Sequence, residues 1–241
     1  MLKVYKLLYN QRVFTLTDVK AITKNYQVAK NTIQRLLAKN YIKRIHKGLY
    51  HIVPFGDEQY VPDPILVASR LRKKYYFSLV TALQIHDLAE SQNIYIASDV
   101  NKKLRIYNRD YYIYKTKSFF GVEERVIGNQ KVKVSDMERT FLDCLLHLEL
   151  LGGLDNFLAI GKDATVNQSK LVDYIKNYRL KKLYSLAGYA LEQLQADEKT
   201  LEKLEKKLGK KVYYIEKKSR YAQLVDRFKK PKLIKRWNLI G

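Results

Sequence analysis

Apolar residues recur at helical spacing at two places near the start of the chain. Val4, Leu7 and Leu8 form one stripe over residues 2–9, and Ala29, Ile33, Leu36 and Leu37 form a second, the step of three and four that turns one face of a helix to a core. Between them Phe14-Thr15-Leu16 is a short β-prone run, and Thr17 stands where a helix needs an N-cap. After the second stripe the period changes. Residues 41–53 hold two β-prone runs around Lys47-Gly48, which predicts a hairpin. The stretch 17–53 therefore predicts helix, turn, helix and basic hairpin, the pattern of a winged helix-turn-helix.

Three of the four prolines fall within residues 54–64, together with Gly56, Asp57, Glu58 and Asp63. Such a run breaks periodic structure, so the expected organisation is a winged domain over 1–56, a linker over 57–63 and a larger domain over 64–241. Beyond the linker the patterning predicts helices over 65–74 and 78–86, the latter capped by Ser78. Strand-like runs rich in Tyr, Ile and Val follow at 93–97, 104–107, 111–115 and 131–134. Ser135 and Glu138 have the spacing of a capping box for a helix reaching about residue 150, stopped by Gly152-Gly153. Helical patterns resume over 154–160, 168–177, 180–195 and 198–208, with Gly209 as the expected C-cap and a strand over 212–216. The predicted class is α+β: a winged helix-turn-helix followed by a larger mixed α+β domain. The leucine series at 183–194 and 201–208 is too short for a coiled-coil seam.

Chemistry enters on the polar side of the second helix. Asn31, Gln34 and Arg35 are the side-chain types that pair bidentately with base edges. Lys30, Thr32 and Lys39 flank them, and Lys43, Arg44, His46 and Lys47 of the hairpin are placed to meet phosphates. The plain alternative is a solvated helix face, or a helix-turn-helix used as a protein-binding module. Charge favours DNA. The formal net charge is +22, and residues 1–56 carry eleven Lys or Arg against one acid, Asp18. Residues 199–241 carry fifteen against four, while the 142 residues between them are nearly neutral. A basic excess tied to a helix-turn-helix is the footprint of phosphate contact, and the basic C-terminal tail is expected to share that load.

Other classes are disfavoured. One cysteine, Cys144, excludes an internal disulfide framework and fits a reducing cytoplasm. It sits in an apolar helical pattern as an inert thiol. The four histidines have no metal-ligand spacing, and no signal region or membrane-length apolar run is present, so a cytoplasmic protein without metal or cofactor is expected. Phosphate-binding glycine loops and hydrolase or zinc motifs are lacking, and no catalytic residue is assigned. The competing reading is an Mg-dependent DNA-processing nuclease built on Glu216 and Lys218, with Asp99 or Asp110 as the second carboxylate a metal would require. The 20 tyrosines invite a single-strand stacking platform, but in strand-like runs alternation turns half of them into a core.

Several segments resemble the AbiEi family, the antitoxins and transcriptional regulators of type IV (abortive-infection) toxin–antitoxin loci. They are residues 42–50 of the hairpin, 77–86 after the linker, 119–123, and above all 134–145, reading Val134-Ser135-Asp136-Met137-Glu138-Arg139-Thr140-Phe141-Leu142-Asp143-Cys144-Leu145, with Gly152-Gly153-Leu154-Asp155 behind it. The chain departs from the pattern at Asp87, where Gly is usual, and at Met137, where Pro is common. The resemblance implies a C-terminal antitoxin domain and repression of the protein's own operon. It implies binding to inverted repeats of double-stranded DNA, as a homodimer or cooperatively. It also implies a neighbouring nucleotidyltransferase toxin, countered without a tight complex. Ser135 and Glu138 as caps, and Arg139 with Asp143 as an i,i+4 pair, are read as structural.

Overall fold

Val4 and Leu8 turn inward from α1 (Leu2–Tyr9) in the computed structural model, which describes residues 2–215 and 232–241. They meet Phe14 of β1 (Val13–Thr15), Val19 of α2 (Leu16–Thr23) and Ala29, Ile33 and Leu36 of α3 (Tyr26–Ala38). Ile42 of β2 (Ile42–His46) and Ile52 of β3 (Leu49–Ile52) close this small core. Each fully buried aliphatic or aromatic side chain here contributes roughly 1.5–3 kcal/mol. The three strands form an antiparallel sheet in the order β1-β3-β2, with a bulge between Arg44 and His46. Thr15, not Thr17, caps α2. Its side chain accepts from the Asp18 amide at 3.3 Å, while the Asp18 carboxylate accepts from the Thr15 amide at 2.6 Å, a reciprocal box that Thr17 has no partner to form.

By proximity of the backbone the chain divides into two compact units, Met1–Phe77 with Ser91–Val134, and Ser78–Glu90 with Ser135–Gly241. The first adds to the N-terminal core a six-stranded sheet, which runs β6 (Lys102–Ile106), β7 (Arg109–Lys115), β5 (Ile94–Ser98), β4 (Tyr75–Phe77), β9 (Gln130–Ser135) and β8 (Val122–Ile127). Parallel pairing joins β5 to β7 and β4 to β9, while β4 runs antiparallel to β5. The helix expected over 65–74 is shorter, α4 (Pro64–Ser69), capped by Asp63, and β4 takes up the chain soon after. Tyr76 and Tyr111 are among the largest fully buried side chains, and Tyr95 stacks on Tyr112 at 5.2 Å in register across β5 and β7. In this unit Gln130 Nε2 donates to the Gln11 carbonyl oxygen, and Tyr107 bonds His51.

The second unit is mainly helical: α5 (Leu79–Ile85), α6 (Met137–Leu146), α7 (Leu154–Asp163), α8 (Gln168–Tyr178), α9 (Lys181–Gln193) and α10 (Glu198–Glu205). A small sheet joins β10 (Tyr213–Tyr214), β12 (Leu239–Ile240) and β11 (Leu233–Ile234) in that order. Helix α6 is capped by Asp136 rather than Ser135. Asp136 accepts from the Arg139 amide at 3.0 Å, and the Ser135 hydroxyl is instead 2.7 Å from that of Thr140. The helix stops at Leu146, with a 3-10 turn at Leu148–Leu150 before the glycine pair. At the end of α10 the C-cap is Lys206, not Gly209. Of the strand expected over 212–216, residues Tyr213–Tyr214 are extended and Glu216 lies outside the described residues. The fold is α+β, and no helix among the described residues is long and apolar enough to cross a membrane.

Candidate nucleic-acid interface

The sharp turn between α2 and α3 is written in two residues. Lys24 adopts a left-handed conformation (φ 61°) and donates its amide to the Lys20 carbonyl, ending α2. Asn25 then caps α3, accepting from the Val28 amide at 3.0 Å. Short amide side chains tolerate or support such turns because they satisfy the free amides of a helix start.

With Ala29, Ile33 and Leu36 buried, the 100° step of a helix puts Gln27, Asn31 and Gln34 opposite them. Lys30 and Arg35 lie on the two flanks of that polar stripe, and all five are exposed. Gln27 Nε2 donates to Asn31 Oδ1 at 3.1 Å, an i,i+4 pair that presents one amide beside the other. No acid lies on α3. Four of the expected readers or flanking cations, Lys30, Asn31, Gln34 and Arg35, are thus brought onto one open face. Thr32 is half-buried at the edge of the apolar stripe, and Lys39 is exposed at the C-cap. Gln27, absent from the expected readers, lies one turn before Asn31 on the same stripe, a position that helical spacing identifies. Tyr26 and Val28, 54% and 49% exposed, are large apolar groups left open at the helix start.

The hairpin separates its basic residues. Gly48 carries the turn at φ 76°, a conformation that costs glycine nothing. Lys47 is exposed at the tip beside half-buried His46. Opposed residues of an antiparallel pair share a face, so Arg44 lies with Tyr50 and Lys43 with His51. Arg44 Nε donates to the His46 carbonyl at 3.3 Å, and Lys43 Nζ donates to the Glu58 carbonyl. Lys43 and Arg44 therefore lie on opposite faces of the ribbon, and Lys43 is turned to residues 57–63. Beneath it His51 is buried, its Nδ1 2.9 Å from the Ile52 carbonyl and its Nε2 3.1 Å from the Tyr107 hydroxyl. Burial holds the imidazole below its ordinary value, the Ile52 carbonyl opposes that, and the Lys43 charge adds to it.

A crystal structure of the RV2827C protein from Mycobacterium tuberculosis is similar to this chain with a TM-score of 0.64 over 98% of this chain and 89% of that one, at 14% identity. The likeness is one of fold. No family model and no curated protein matches the chain.

The 134–145 segment forms an internal polar network in the second unit. Lys170 Nζ lies 2.7 Å from Glu138 and 3.1 Å from Asp136, and Tyr174 donates to Asp136 at 2.8 Å. The Glu138 hydrogen bond is the main cause holding the ammonium above its ordinary value. Arg139 Nε meets Asp143 at 3.4 Å, and Tyr178 donates to the same carboxylate at 2.6 Å. These bonds tie α6 to α8. Burial pushes the Cys144 thiol well up, which keeps it protonated and inert. Near the C-terminus Arg236 is held by Glu192 at 2.8 Å, Glu205 at 3.2 Å and Glu198, so its charge is already answered. Lys232 and Lys235 are exposed.

The nuclease segment Glu216-x-Lys218 lies outside the described residues. Of the carboxylates considered with it, Asp99 pairs with Arg72 at 2.8 Å and Asp110 with Lys103 at 3.0 Å. Among the described residues no group of three or more His, Cys, Asp or Glu could hold a metal ion.

Proposed function

We propose that this chain is a DNA-binding transcriptional autorepressor and the antitoxin of a type IV toxin–antitoxin operon, acting in the cytoplasm on inverted repeats upstream of its own gene. The observation that carries the DNA half is the outward side of α3. Gln27, Lys30, Asn31, Gln34 and Arg35 stand exposed together, with no acid on the helix. In a winged helix-turn-helix α3 is the helix that enters the major groove, its amides reading adenine and Arg35 reading guanine. The two-residue turn after α2 and the hairpin with Lys47 at its tip support that reading. Lys30, Lys39, Arg44, His46 and Lys47 then position the protein on phosphates. The antitoxin half rests on the resemblance of residues 134–145 and would belong to the domain over 64–241.

Footprinting on the upstream region tests the reading. Protection of inverted repeats, weakened in Arg35→Ala, supports it; binding by Arg35→Ala equal to that of the unaltered protein would remove α3 from the reading role. Co-expression with the adjacent nucleotidyltransferase tests the second half, growth rescue being the expected outcome.

A further inference from the structure

A cleft of about 250 Å³ opens at the tip of the hairpin in the first unit, lined by His46 and Lys47 of the hairpin, Thr15, Arg70, Arg72 and Lys102. The remaining wall is glycine and aliphatic side chains, and no acid lines it. The polar residues come from four separate stretches of chain, so no spacing in the sequence announces them. Asp18 lies 4.0 Å from Arg70, and Asp99 is 2.8 Å from Arg72. Gln130 accepts from Arg70 at 3.1 Å. These partners hold the two guanidinium groups in place but leave Lys47 and Lys102 uncompensated among the ion pairs of the described residues. The Arg72 side chain remains 34% exposed beside Asp99, so the residue is open to an anion in the cleft while Asp99 orients it. Clustered like charges cost free energy that an anion recovers, and planar guanidinium groups suit tetrahedral oxyanions.

We propose that this cleft binds a phosphate group, with Arg72 and Lys102 as its principal ligands and His46 and Lys47 closing over it from the hairpin. The volume is below that of ordinary small-molecule pockets and leaves room for a phosphoryl group with part of the ester that carries it. The phosphate comes either from the nucleic-acid backbone or from a free phosphate ester. In the first case the cleft is a clamp to which Arg70, Arg72 and Lys102 contribute from outside residues 1–56; in the second it is a ligand site touching the hairpin. The phosphate chemistry is independent of the DNA-reading role of α3.

The test follows the His46 ring resonances of the full-length protein by NMR as inorganic phosphate replaces chloride at constant ionic strength. Saturable movement is expected, with about tenfold weaker binding in Arg72→Gln and in Lys102→Gln. Lys102 is exposed, so the second variant keeps the test interpretable should the first unfold. No saturable response, or one unchanged in Lys102→Gln, overturns the proposal. Duplex binding across a salt series then separates the two sources. A slope smaller by about 0.9 in Lys102→Gln assigns the site to a backbone phosphate, and an unchanged slope assigns it to a free ester. A phosphate response in a protein that binds no duplex leaves the cleft standing and removes the α3 reading; duplex binding without a phosphate response does the reverse.

Discussion

The benzo ring of Trp237 packs against the bare backbone of Gly188, so closely that a Cβ at that glycine would overlap it. Trp237 is fully buried, and its Nε1 donates to Glu192 at 2.8 Å. The contact joins the end of the chain to the middle of α9. Gly188→Ala is expected to cost about 3 kcal/mol, at the upper end for overpacking because a ring cannot fold away. Trp237→Ala is expected to cost about 3–5 kcal/mol, and the two losses should fall well short of adding in the double variant. Trp237 is the single tryptophan, so its emission follows urea unfolding of this unit in the glycine variant, with circular dichroism for the others.

Substitutions on α3 and in the hairpin should separate base reading from phosphate contact. Asn31→Ala, Gln34→Ala and Arg35→Ala each should lose about 1–3 kcal/mol of discrimination at one operator position. Gln27→Ala belongs with them, because it lies on the same stripe and bonds Asn31. Lys47→Gln should weaken all sequences alike and flatten the salt slope by about 0.9. Anisotropy titrations on operator and scrambled duplexes at several salt concentrations distinguish the patterns; a uniform loss in the Asn31, Gln34 and Arg35 variants would contradict base reading.

His51 should make the first unit acid-sensitive. A carbonyl only accepts, so Nδ1 carries the proton toward Ile52 and Nε2 accepts from Tyr107, the neutral tautomer. Burial lowers the folded-state pKa below the ordinary value of 6.5, so the unfolded chain takes up a proton first as the pH falls. The stabilisation is fully present above about 6.5 and declines below it until the folded ring also protonates. Thermal unfolding of His51→Gln should lose this step as the pH falls below about 6.5, and an unchanged profile would show that another group is responsible.

Lys170 should stabilise the second unit through its two carboxylate partners, Asp136 and Glu138. Asp136 and Glu138 are each 6% exposed, whereas the Lys170 side chain is 42% exposed, so solvent screens part of the pairing. Lys170→Met is expected to cost about 1–2 kcal/mol after that discount. Urea midpoints of the variant and the unaltered protein check the difference.

Legibility tracked distance along the chain. The buried stripe of α3, the hairpin turn at Gly48 and the helical run now seen as α8 are periodic or capped locally, and each is found where the patterning places it. Thr15 as the cap of α2 was also readable, since Thr15-Leu16-Thr17-Asp18 has the box spacing. Strands β4 and β8 were not. β4 is three residues long and is a strand because Phe77 pairs with Val134 on one side while Tyr75–Phe77 pairs with β5 on the other. The cap of α6 was ambiguous, because adjacent Ser135 and Asp136 can both accept from a helix start. Thr140, by engaging the Ser135 hydroxyl, leaves the role to Asp136.

The sequence by itself determined which side chains α3 offers to solvent and that the chain carries its charge at its two ends, because both follow from local order and composition. Tertiary structure alone decided where that charge is free. It turns Lys43 to the Glu58 carbonyl and spends Arg236 on three glutamates, and from the near-neutral middle of the chain it gathers Arg70, Arg72 and Lys102 beside the hairpin tip. The physical reason is the range of the forces. Helical periodicity acts over a few residues, whereas ion pairing and desolvation act between groups brought together by strand pairing and core packing, at separations along the chain that no motif records.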